Sequence, residues 1–267
     1  MRWHYQWIVV NDFLPKVVGN ETARSVLRPG ARQHDRPTID LQFYPSGGMP
    51  FMPVEFSGAA YRFGHSMLRA NYVFDDLEQT VPIFRPESQS GSGRRRSRQL
   101  SRDLEINWNR FFDVEPTPLV NDSMRIDRSL AAPLRYVPPT GRPLAWLNLR
   151  RGVKLKLPSG FAVAEQMKKK LAIEQLTEDQ LLEPLGGANA RKVLGDAVLQ
   201  APPLWYYVLC EARHLGNGGQ QLGPLGAATW HALLGSHGRR IPCAVHRRRP
   251  ARAPARHLPR RLATSPG

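Results

Sequence analysis

One histidine in this chain sits among residues that could hold a metal group. Residues 53–72 read PVEFSGAAYRFGHSMLRANY, and apolar side chains recur at Phe56, Ala60, Phe63 and Met67 with the spacing of one helix face. The other face carries His65, with Arg62 three residues before it, Arg69 four after and Gly58 seven before. A neutral imidazole is a metal ligand and a guanidinium is a carboxylate partner. Gly64 costs roughly 1 kcal/mol of helix stability relative to Ala, which has a reason if something large and flat must approach the backbone. One imidazole, flanking arginines and missing side-chain bulk suit a haem: an axial ligand, cations for its propionates and room for the macrocycle. By itself the spacing is a weak signal, because a lone helical histidine is more often a surface or satisfied core residue.

The elements that must position His65 read as helices. Pro53 suits the first position of the helix that carries it. Met1 to Val18 reads as a helix ending at Pro15 or Gly19. Residues 20–52 and 86–102 are rich in Pro, Gly or polar residues and read as loops, the second holding the cluster Arg94, Arg95, Arg96 and Arg98. Short helices are expected at Ile106–Phe112 and Met124–Leu130. Pro158-Ser159 opens a helix to about Leu171, with Ser159 a fair cap. Thr177-Glu178-Asp179-Gln180 has capping-box spacing. Leu204 to Leu215 reads as a helix stopped by Gly216-Asn217-Gly218-Gly219. The chain reads as mainly α: one helical domain with long loops over 1–226, and a separate tail over 227–267.

The stretch Tyr61-Arg62-Phe63-Gly64-His65-Ser66 resembles the proximal helix of the animal haem peroxidase superfamily, which runs aromatic-Arg-aromatic-Gly-His-Ser/Thr. The likeness continues in order. Trp3 to Gly19 (WHYQWIVVNDFLPKVVG) is similar to the helix ending NEYLP-x-x-x-G. Ile106–Asp113 (INWNRFFD) and Ile126–Pro133 (IDRSLAAP) look like later segments. Asn148–Ala164 (NLRRGVKLKLPSGFAVA) resembles the N-x-x-R-G-x-x-x-x-LP block, and Pro203–Gly226 a late helix with its Gly-rich turn. The fold so implied is the proximal half of a haem-peroxidase-like helical domain.

The resemblance assigns roles. His65 would be the proximal iron ligand. Asn148 would hydrogen-bond its other ring nitrogen, fixing the tautomer and tuning the iron. Arg62 and Arg151 would lie near the haem propionates. Taken without the family, Asn148 reads as a turn residue and Arg150-Arg151 as a solvated loop. The fatty-acid dioxygenase branch places its radical-forming tyrosine three residues before the histidine. Arg62 stands there, and Tyr61 would project about 100° away, which favours the peroxidase branch.

The implied activity is hydrogen-peroxide-dependent oxidation of small reducing donors, with haem (iron protoporphyrin) as cofactor. The family's distal histidine, catalytic arginine and calcium-binding loop would precede this chain, and none of their motifs occurs in it. A distal base typically contributes 10²–10⁴-fold, and the arginine a large electrostatic share. The expectation is a proximal half that is weak or inactive alone, calcium being a matter for the complete protein. A peroxidase-like remnant without chemistry is the bland alternative.

Of 267 residues 41% are hydrophobic, which argues for a folded core, and no apolar run approaches a membrane span. The start, MRWHYQWIVV, lacks a signal-peptide layout. The compartment stays open, secretion of a complete protein included. Cys210 on an apolar helix reads as a small buried residue rather than half of a disulfide with Cys243. The net charge of +16 raises a basic polyanion or nucleic-acid binder as another alternative. Nine of those charges are arginines in 227–267, a stretch with no acidic residue and no helical or strand period. An out-of-frame reading beginning near Ala227 is expected there, a basic disordered tail being the plain alternative. The tail has no interleaved aromatics and the chain no zinc or recognition-helix motif, so no specific nucleic-acid partner is expected.

Overall fold

The computed structural model describes residues 2–28, 38–39, 52–75, 80–84, 106–112, 120–169, 173–183 and 189–230. The arginine cluster at 94–98, Cys243 and residues 231–267 lie outside them. The described chain is mainly helical, as the sequence suggests.

The first helix runs as α1 (Arg2–Ile8), a wider π turn (Val9–Phe13) and α2 (Leu14–Val18). Pro15 has no N–H to donate and its ring would meet the carbonyl four residues back. A widened turn ahead of it lets the helix continue. Gly19 then stops the helix at φ +86°, a conformation that favours glycine. The expected loop after it instead opens with α3 (Asn20–Val26), whose Ala23 N–H donates to the Gly19 carbonyl at 2.9 Å. The composition of 20–52 as a whole hid a seven-residue helical run at its start. Strands β1 (Leu27–Arg28) and β2 (Thr38–Ile39) pair antiparallel next.

The segment carrying His65 is not the single α-helix expected. α4 (Val54–Gly58) ends at Ala59, with φ −135° and ψ −67°, and a 3₁₀ helix follows over Ala60–His65. Pro53 caps α4 from outside with ψ 140° rather than occupying its first turn. Gly58, a poor helix former, is the residue on which α4 ends. The 3₁₀ repeat of three residues per turn places Arg62 directly one turn from His65, and Ala60 one turn from Phe63. β3 (Asn71–Val73) pairs with β4 (Thr80–Pro82) immediately afterwards.

Trp108–Arg110 forms one 3₁₀ turn within the expected helix at 106–112. Residues 124–130 form no helix: Ser129 N–H donates to Asp127 Oδ1 at 2.7 Å and Ile126 N–H to the Gly219 carbonyl, so local and long-range partners replace the helical ones. α5 (Leu144–Lys154) and α6 (Gly160–Lys168) follow, the latter capped by Ser159, whose Oγ accepts from Ala162 N at 3.2 Å. α7 (Glu178–Leu182) starts with both capping-box bonds in place. α8 (Ala190–Leu194) and α9 (Asp196–Gln200) precede α10 (Leu204–Leu215).

α10 is the centre of the fold. Leu204, Trp205, Tyr207, Val208, Leu209, Cys210 and Ala212 are all buried, so the helix is enclosed on most sides. It packs against α5, α6, α7 and the 3₁₀ segment of His65. Gly160 lets α6 approach it: a Cβ there would lie 2.2 Å from Tyr207 Cβ. Cys210 is a buried free thiol, pushed up to about 11 by burial, which makes it inert packing.

A last helix, α11, covers residues 224–230. It crosses the boundary expected at 226, and Ala227, Ala228, Thr229 and Trp230 are buried within the same core as α10. Among the described residues no helix is long and apolar enough to cross a membrane.

Candidate functional site

Three side chains from two distant segments meet at one point. Asn148 on α5 is 1% exposed, and its Nδ2 lies 2.9 Å from His65 Nδ1. Its Oδ1 accepts from Arg62 Nη1 at 3.4 Å. Both ends of a buried amide are thereby satisfied, as burial requires. His65 Nε2 has no hydrogen-bond partner among the described residues.

The supports come from the core. Trp205 on α10 donates from Nε1 to the Arg62 carbonyl at 3.2 Å, which ties the 3₁₀ turn to the central helix. Ser66 is fully buried and donates to the Phe63 carbonyl at 2.8 Å. Phe56 and Phe63 anchor the segment from below, packed against Trp230 of α11 with ring centroids 4.9 and 6.0 Å away. Gly58 and Gly64 differ in use. A Cβ on Gly58 would lie 2.9 Å from Leu155 and Leu157, so that glycine serves the packing of α4 on the end of α5. A Cβ on Gly64 would meet nothing within 4 Å. The backbone at Gly64, next to His65 in the chain, therefore borders open space.

The electrostatics favour a neutral imidazole. His65 is pushed below its ordinary 6.5, first by burial and then by the Arg62 charge. Arg62 is itself lowered by burial and by the nearby charge of Arg151. Two cations therefore face this region, and Arg62 Nε is buried without a hydrogen-bond partner. Arg151 is exposed on α5 three residues beyond Asn148. Arg69, on the expected His65 face, instead donates to the Asp122 carbonyl at 2.8 Å.

Residues 3–102 match the family model of the animal haem peroxidases. Over that stretch the chain is similar to the animal haem peroxidases. The peroxidase match includes Arg62, Gly64 and His65; Asn148 and Arg151 lie beyond it, and the fold brings them to the same place. No curated protein matches the chain.

The residues present fit the family's cofactor. Among the described residues no three His, Cys, Asp or Glu side chains gather around a metal ion. A haem iron requires only one protein ligand from this side. The neutral imidazole, the free Nε2, the space beside Gly64 and an Arg62 Nε lacking an acceptor together match such a group. Two supports escaped the sequence reading. Trp205 shows no local signal for its reach to Arg62. Trp230 lay in the stretch read as tail, although a lone large aromatic after the apolar run at 225–229 was a usable hint.

Proposed function

We propose that this chain forms the proximal side of a haem peroxidase site. His65 ligates the iron through Nε2, Asn148 holds the imidazole through Nδ1, and Arg62 with Arg151 faces the propionates. The observation that carries this reading is the 2.9 Å contact between Asn148 and His65 across 83 residues of sequence. A chance histidine on a packed helix has no reason to meet a buried amide at its second nitrogen. Metal-bound histidines almost always donate their second ring N–H to a neighbouring acceptor, a part Asn148 plays when its amide oxygen is turned to Nδ1.

When bound, the iron porphyrin supplies the redox chemistry by which hydrogen peroxide oxidises small donors. The protein's part on this face is orientation and charge. Burial and Arg62 keep the imidazole neutral rather than cationic at neutral pH. With its amide oxygen turned to Nδ1, Asn148 would be a weaker acceptor than a carboxylate and would leave the imidazole less anionic than an Asp would. Guanidinium groups match carboxylates through a rigid fork of donors. Arg62 three residues before His65 also stands where the fatty-acid dioxygenase branch carries its tyrosine, which supports the peroxidase reading.

The test is reconstitution with iron protoporphyrin IX. The wild-type chain should develop a Soret band, and His65→Ala should lose it while keeping its far-UV circular dichroism. Equal haem uptake by a folded His65→Ala chain would overturn the assignment.

A further inference from the structure

α5 has a second face, turned away from His65. Asn148 lies two positions from both Trp146 and Arg150, so at about 100° per residue those two side chains leave the helix on the side opposite it. Arg142, Trp146, Arg150 and Val153 follow at intervals of four, four and three residues and form a stripe along that outer side. All four are exposed. Two guanidinia share one indole: Arg142 Cζ lies 5.2 Å and Arg150 Cζ 4.8 Å from the Trp146 ring centroid.

The stack holds two cations ready for an anion. A guanidinium over an indole is attracted by the negative face of the ring, and it stays charged with its donors in a rigid fork. Among the described residues none of Arg142, Arg150, Lys154 and Lys156 has an acidic partner. The neighbouring sequence supplies none: from 128 to 164 the chain holds five arginines, two lysines and no Asp or Glu. A surface shaped for solubility alone intersperses both signs. Side chains already held in place also lose less freedom when they bind.

We infer that the outer face of α5 is a binding surface for an acidic polysaccharide, whose sulfate or carboxylate groups pair with Arg142 and Arg150. It is separate from the haem reading and does not depend on it.

The chemistry of the stripe selects this partner among polyanions. A protein partner needs a well-packed centre poor in charge, and lying in a lipid surface needs an apolar helix face. Trp146 and Val153 are the only apolar members of the stripe, and Trp146 is 39% exposed beside its two guanidinia. Bases of a single strand stack on aromatic faces, whereas this indole already carries two cations. An acidic sugar chain asks for neither apolar area nor a bare ring. Its oxyanions take the two forks as charge-assisted hydrogen bonds.

The experiment is calorimetric titration of the 267-residue chain with a heparin hexasaccharide at physiological salt. Arg142→Ser/Arg150→Ser should weaken binding about tenfold and lower the slope of log affinity against log salt by about two. Arg247→Ser/Arg248→Ser removes the same charge from the arginine-rich stretch near the end of the chain, and should change affinity by less than about twofold. Trp146→Leu keeps every charge and should still lose about threefold, because the arginines lose their support. Far-UV circular dichroism checks folding. Arg142→Lys/Arg150→Lys, which keeps the charge and removes both forks, should lose about threefold and stands in if the serine pair does not fold.

Equal losses from the two serine pairs, or wild-type affinity in Trp146→Leu, would reduce the surface to diffuse charge and overturn the inference. A larger Trp146→Leu loss with an oligothymidylate, or with phosphatidylserine–phosphatidylcholine vesicles, than with the hexasaccharide would also overturn it, since the occupant would then be a nucleic acid or a membrane.

Discussion

Trp230 stands edge-on to Phe56, ring centroids 4.9 Å apart and planes 88° to one another. The same indole contacts Phe13, Tyr61 and Phe63. A residue near the end of the described chain is thus the floor under the segment that presents His65. T-shaped pairs are worth about 0.5–1.5 kcal/mol beyond area burial, and this indole makes several aromatic contacts.

Trp230→Ala should therefore cost roughly 3–5 kcal/mol and loosen the 3₁₀ turn above it. Urea denaturation would measure the loss. The His65 amide should also lose hydrogen-exchange protection more than amides of α7 do. Uniform loss across both would show that Trp230 supports the core generally rather than the His65 segment.

Glu211 predicts a pH dependence. Its carboxylate is fully buried in α10 and accepts from Leu225 and Gly226 N–H at 2.9 and 3.0 Å, at the start of α11. Gly223 has no Cβ, which would otherwise lie 2.3 Å from Glu211 Cγ. Burial raises this carboxyl from 4.5 to about 7, against the pull of the two amides. Between those values the folded chain keeps a proton that the unfolded chain has released. Stability from this group is therefore full at or below pH 4.5, falls as pH rises towards 7 and is level above. Wild type should lose on the order of 2–3 kcal/mol relative to Glu211→Gln across that window, read as the difference in urea midpoints at pH 5 and pH 8. Parallel pH profiles for the two proteins would refute it.

Gly160→Ala should be destabilising by about 2–3 kcal/mol, because the added methyl meets Tyr207 at 2.2 Å and the two helices must part. Thermal unfolding checks this. A second change, Tyr207→Ala, should relieve only part of the effect, since it removes the ring atoms at 2.2 and 2.6 Å but keeps the Cβ at 2.2 Å.

Gly64 should behave in the opposite way. The space at its Cβ position is open, so Gly64→Ala should leave stability unchanged or raise it by up to about 1 kcal/mol. Gly64→Phe should fold too, but take up iron protoporphyrin IX at least tenfold less well. Undiminished uptake would mean that the space beside His65 is not where the macrocycle lies.

Much of this was legible in the chain itself. The helices that end at Val18 and Leu215, the capping box at Thr177, the Ser159 cap, the stop at Gly19 and the burial of Cys210 follow from local pattern, because caps, glycine conformations and apolar periodicity act over a few residues. His65 and Arg62 were visible for the same reason, as neighbours within one turn. Local pattern could not decide what depends on partners far along the chain. The proximal segment breaks into α4 and a 3₁₀ turn because Leu155 and Leu157 pack over Gly58 and Trp205 ties down the Arg62 carbonyl. Residues 124–130 stay unwound because Gly219 takes the Ile126 N–H. Which way the Asn148 amide faces is set by a guanidinium 86 residues earlier in sequence, and no spacing rule reaches that far. The sequence determined which groups are available for chemistry; tertiary packing decided which of them touch, because contacts between remote segments form only when a shared core is buried.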